Sequence, residues 1–61
     1  MITIITLHGY VVTHKEYINT LFFKNGRYFV TIVNGRHYEK WEITSGSYHE
    51  LRKILYGEEE A

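Results

Sequence analysis

Phe22, Phe29 and Tyr38 are interleaved along the chain with the cations Arg27, Arg36 and Lys40. Rings and cations mixed in this way suit an anionic ligand that carries a flat base. The ring faces stack on the base, and Lys and Arg neutralise phosphate. These six side chains act together only if the backbone brings them to one surface, so the elements that carry them decide the matter.

Asn25-Gly26-Arg27 recurs nine residues later as Asn34-Gly35-Arg36, each copy flanked by β-branched and aromatic residues. Asn-Gly is the strongest short-range signal for a type I′ hairpin, because both residues accept positive φ at little cost. Two such turns predict three antiparallel strands over about residues 17–24, 27–33 and 36–43. Two-residue turns set Lys24 opposite Arg27 and Val33 opposite Arg36. Tyr28 then falls between Phe23 and Trp41, Val30 between Leu21 and Glu39, and Ile32 between Asn19 and His37.

That register sorts the side chains. One face carries Leu21, Phe23, Tyr28, Val30, Ile32, Trp41 and Ile43 and is the expected core face. The other places Phe29 between Phe22 and Lys40, Thr31 between Thr20 and Tyr38, Val33 between Ile18 and Arg36, and Arg27 between Lys24 and Glu42. All four basic residues of the meander share this second face with Phe22, Phe29 and Tyr38. A competing reading makes Phe22, Phe29, Ile18 and Val33 a second apolar layer or a dimer seam, with the cations snorkelling round its edge.

The remaining segments frame this meander. Residues 2–7 are β-branched and apolar with interspersed Thr, and read as a strand whose alternation breaks at Ile4-Ile5. His8-Gly9 is either a tight turn or a kink into a further strand over residues 10–13. Residues 1–7 are free of charge and Pro, the profile of an edge that must be covered, within the sheet or by a second chain. Near the other end, Ser47 with Glu50 reads as a capping box, with Tyr48, Leu51, Ile54 and Leu55 as the helix's apolar stripe and Gly57 as its stop.

Length and composition bound the function. A 61-residue chain is one domain with a thin core, so self-association, here a homodimer, is expected. There is no Cys, hence no disulfide and no thiolate metal site. No stretch reads as a signal peptide or a membrane span, and the expected location is the cytoplasm, that of a host cell for a viral protein. The formal net charge is zero, but Glu58, Glu59 and Glu60 hold three of the seven acids. Residues 1–57 therefore carry seven basic and four acidic side chains, a net of +3, and residues 58–61 read as a frayed acidic tail.

Other chemistry finds little footing. His8, His14, His37 and His49 have no metal-ligand spacing. Ser45-Gly46-Ser47 could offer amides to a phosphate, but helix capping already accounts for these residues. Glu39 and Glu42 fall on opposite faces of one strand and cannot pair as catalytic carboxylates. Neither an enzyme nor a cofactor or metal requirement is expected.

The expected fold is α+β: an antiparallel sheet of four or five strands, a meander with two Asn-Gly hairpins, followed by one C-terminal helix on one face, in a single domain over residues 1–57. Over about residues 17–57, in its order of elements and its two Asn-Gly turns, the chain resembles the small sheet-plus-helix DNA-binding domains at the N-termini of phage-type integrases. Its brevity and Tyr content also resemble the accessory proteins that phages direct against host enzymes and defences. The expected function is non-enzymatic binding of nucleic acid or a nucleotide through Phe22, Arg27, Phe29, Arg36, Tyr38 and Lys40. The alternative is a phage-type inhibitor or counter-defence factor that binds a host protein, with Tyr, Trp and Arg as its anchors.

Overall fold

The computed structural model describes residues 1–57, and the acidic tail expected over 58–61 lies outside them. Five strands, β1 (Ile2–Thr6), β2 (Gly9–Thr13), β3 (Ile18–Lys24), β4 (Arg27–Asn34) and β5 (His37–Ile43), precede one helix, α1 (Ser45–Tyr56). A 3₁₀ turn at Lys15–Tyr17 leads into β3. The strands form one antiparallel sheet in the order β2-β1-β5-β4-β3, so the fold is α+β, as the sequence predicts. The tight turn falls one residue earlier than His8-Gly9: Leu7 and His8 form it, Thr6 pairs with Gly9, and Gly9 opens β2.

The first Asn-Gly turn forms as expected. Asn25 and Gly26 take φ of 54° and 76°, and Lys24 pairs with Arg27. The second turn does not. Of Asn34, Gly35 and Arg36, only Gly35 has positive φ (63°), the pattern of a type II′ turn over Gly35-Arg36, and Asn34 stays in the ladder opposite His37. Every β4–β5 pair is thereby displaced by two residues from expectation. Val30 now faces Trp41, Tyr28 faces Ile43, and Ile32 faces Glu39. The displaced register buries Ile43 at 2% exposure and leaves Glu39 at the margin, where its carboxylate has partners. Because side chains alternate with period two, a two-residue slip leaves each on its predicted face.

An irregularity between Ile18 and Thr20 has the opposite effect. Ile18 pairs with Ile32 and Thr20 with Thr31, so the residue count differs on the two strands. Ile18 therefore moves from the open face, where the sequence placed it, to pack against the core. Phe23, expected in the core, is 56% exposed on the outer strand, its ring against Tyr28 at 4.9 Å.

The core comprises Ile4, Val30, Ile32, Ile43 and Leu51. It depends on a sharp change of direction between β1 and β5, which share one residue pair, Thr6 with Ile43. Leu7 N–H donates to Glu42 O and Thr44 N–H to Ile5 O, each at 3.2 Å. Past this point β5 has ended and α1 has begun. Residues 14–17, which join β2 to β3, reach at most about 18 Å between the flanking Cα atoms, so the β1–β2 hairpin must fold over the meander. It does so with Ile4 in the core cluster and Ile2 and Val11 packed against it. The hairpin and α1 together cover one face.

The helix start differs from the predicted capping box. Thr44, with extended φ/ψ of −75°/158°, is the N-cap, and its hydroxyl accepts the Ser47 N–H at 3.2 Å. Ser47 is thus in the first turn, and its own Oγ accepts the Ile5 N–H at 2.9 Å. Gly57 ends the helix as expected, in the left-handed region (φ 58°), donating its N–H to Lys53 O at 2.9 Å.

Removing the Ser47 hydroxyl strands the Ile5 amide in a part-buried position, which costs about 1–3 kcal/mol. Ser47→Ala should lower the urea midpoint accordingly, while Ser45→Ala, at an exposed neighbouring site, should change stability by less than about 0.5 kcal/mol. Equal midpoints for the two variants would remove this bond from the account.

Candidate functional site

The face of the meander turned away from α1 holds the ring-and-cation set. Phe22 and Phe29 are cross-strand partners on β3 and β4. Their rings stack with centroids 5.0 Å apart and planes inclined by 19°. Both are half-buried, so ring surface remains open to solvent. Lys40, diagonal to Phe29 after the slip in register, places its ammonium over that ring, Nζ 5.6 Å from the centroid.

These groups line one hollow of about 490 Å³ with Lys24, Asn25 and Arg27. The Asn25-Gly26 turn positions two of the three cations, because its two-residue length sets Lys24 and Arg27 directly opposite each other. Arg27 Nε lies 3.8 Å from Glu42 Oε2, an exposed ion pair that orients the guanidinium at the rim. The hollow thus carries three cations against one adjacent carboxylate.

Of the six residues the sequence nominates, the structure brings together Phe22, Arg27, Phe29 and Lys40. Tyr38 lies elsewhere on the same face, opposite Val33 and 61% exposed. Arg36 belongs to the Gly35-Arg36 turn rather than to a paired position, because β5 starts at His37. Lys24 and Asn25 join the hollow without having been nominated, and the signal for them was their place at the first turn. Thr20 and Thr31 close the layer beneath by a hydroxyl–hydroxyl hydrogen bond of 2.5 Å, which satisfies a Thr31 that is only 4% exposed.

A larger groove, about 550 Å³, separates β1 from α1 and is lined chiefly by Met1, Ile2, Ile5, Leu51 and Ile54. Its one charged lining side chain is Glu50, and no Lys or Arg side chain lines it. A third cluster sits on β5. Glu39 Oε1 accepts Trp41 Nε1–H at 2.7 Å and Oε2 contacts His37 Nε2. Hydrogen bonding by Trp41, then by His37, holds the Glu39 carboxyl below its ordinary pKa. No group of three or more metal-ligating side chains occurs among the described residues, and none of their helices is long and apolar enough to cross a membrane.

No family model matches the chain, and neither the curated proteins nor the solved structures compared with it give a match.

A carboxyl whose pKa is lowered on folding adds stability above its unfolded pKa, and that stability is lost as pH falls through the folded value. Trp41→Phe removes the stronger of these two hydrogen-bonding influences, so Glu39 should then titrate closer to an ordinary glutamate, as carboxyl carbon NMR would register. An unchanged titration would show that Trp41 does not hold this carboxylate.

Proposed function

We propose that the chain is a small, non-enzymatic binding protein, dimeric in solution, that takes an anionic ligand with an aromatic base on the Phe22–Phe29 face. The ligand class is single-stranded nucleic acid or a nucleotide. The observation that carries this reading is the stacked, half-open ring pair with Lys24, Arg27 and Lys40 around one hollow. A base entering the hollow extends the ring stack, while the three cations face its phosphate. The net of +3 over residues 1–57 favours approach of such a ligand. Tyr38 lies two residues from Lys40, about 7 Å along the strand, and Arg36 lies beyond it, so a ligand longer than one nucleotide runs toward them.

The alternative, an inhibitor or counter-defence factor that binds a host protein, draws on the exposure of Tyr10 (68%), Tyr38 (61%) and Tyr56 (59%). These three tyrosines lie on β2, β5 and α1 rather than in one cluster. That spread favours the ring-and-cation hollow as the contact surface.

Fluorescence anisotropy of a labelled single-stranded oligonucleotide, titrated at several salt concentrations, tests the proposal. Three phosphate contacts predict a slope of log K against log salt of about −2. Lys40→Ala should make the slope shallower by about 0.7, and Phe29→Ala should weaken binding by about 1–3 kcal/mol. Binding that ignores salt, or that both variants retain in full, would overturn the assignment.

A further inference from the structure

The two outer edges of the sheet are built differently. β3 carries Lys24 and the irregularity between Ile18 and Thr20. Charge and bulges both discourage a further strand from pairing with an edge. β2, the outer strand on the other side, has neither device. Its sequence is Gly-Tyr-Val-Val-Thr, its register with β1 is unbroken from Ile2↔Thr13 to Thr6↔Gly9, and residues 1–14 contain no Lys, Arg, Asp or Glu.

The free hydrogen-bonding groups of that edge can be located. Ile5 sends its N–H to Ser47 Oγ and receives Thr44 N–H at its carbonyl, both on the side away from β2. Ile5 and Tyr10 are therefore a non-hydrogen-bonded pair of the β1–β2 ladder. It follows that the N–H and C=O of Tyr10, and by alternation those of Val12, point outward from the sheet. No backbone partner for them occurs among the described residues. The Tyr10 and Val12 side chains are 68% and 48% exposed, beside Ile5 at 47%.

We propose that β2 pairs antiparallel with β2 of a second copy of this chain, about a two-fold axis at Val11. This register sets Tyr10 of each chain opposite the partner's Val12, giving two residue pairs that each exchange both N–H···O bonds. Axes at Tyr10 or Val12 provide one such pair within the strand. Aromatic and β-branched residues are favourable cross-strand neighbours, and an uncharged strand meets itself without like-charge repulsion. The isologous contact also continues the exposed Ile5, Tyr10 and Val12 surface across the seam, and two-fold dimers are the commonest oligomers. A seam of one strand pair belongs with the smallest interfaces, below about 1,200 Å², so assembly depends on concentration. The inference deepens the dimeric part of the function proposed above and rests on it there, while the ring-and-cation hollow on β3 to β5 takes no part in the seam.

Sedimentation equilibrium from micromolar to millimolar chain, with amide exchange followed by NMR, tests the seam without nucleic acid. The mass should rise from 7.3 kDa towards twice that, and the Tyr10 and Val12 amides should become slow to exchange in step with it. Val12→Pro removes only an outward N–H, which edge strands tolerate, and should leave a folded monomer by circular dichroism. Tyr10→Lys with Val12→Lys, both at exposed positions, opposes like charges across the axis and should do the same. A monomer at every concentration, a dimer that survives both variants, or a dimer whose Tyr10 and Val12 amides stay fast would each overturn the proposal. Loss of oligonucleotide binding alone would overturn the reading of the hollow and leave the seam standing, whereas a monomer that binds oligonucleotide would overturn the seam and the dimeric state and leave the reading of the hollow standing.

Discussion

The bond from the Ile5 amide to the Ser47 hydroxyl substitutes for a missing strand. β5 ends at Ile43, so beyond the Thr6–Ile43 pair β1 has no neighbour on that side to continue the ladder. A part-buried amide without a partner would oppose the change in direction that brings Ile4 over Val30. The first turn of α1 supplies the acceptor instead, and Thr44 serves both structures. Its N–H bonds Ile5 and its hydroxyl caps the helix, so sheet corner and helix start are one construction.

Because the hairpin and the helix both lie on one side, the other side of the meander keeps no cover from within the described chain. A 57-residue fold with a single helix has no further element to place there. The residues on that face reflect this. Thr20 and Thr31 satisfy one another, Arg27 has Glu42, and the Phe22–Phe29 pair shields part of its own ring surface. The face is thus compatible with water and still presents rings beside cations.

Much of this arrangement was legible because strand periodicity is insensitive to an even slip. The second turn formed one residue later than its Asn-Gly pair suggests, yet Phe29, Lys40 and Tyr38 remained on the open side. The slip itself was not legible, since the register it produces places Ile43 in one buried cluster with Ile4, Val30 and Leu51, tertiary contacts that a local turn preference does not report. Ile18 shows the limit. One unpaired residue near Asn19 reverses the parity of everything before it, and nothing in that stretch announces the irregularity. The role of Ser47 is hidden from the sequence for a related reason. Thr44 and Ser47 are both good caps, and only the position of β1 determines which hydroxyl is needed elsewhere.

The narrow joint between β1 and β5 also orders events in time. The β3–β4 and β4–β5 hairpins close across two-residue turns, so their contacts form at little entropic expense. The bond linking Ile5 to Ser47 spans 42 residues and waits until both ends of the chain meet. The meander can therefore assemble first and the N-terminal hairpin dock last. By the same reasoning, that hairpin can detach while the ladders of the meander stay intact, which would expose Val30 and Ile32.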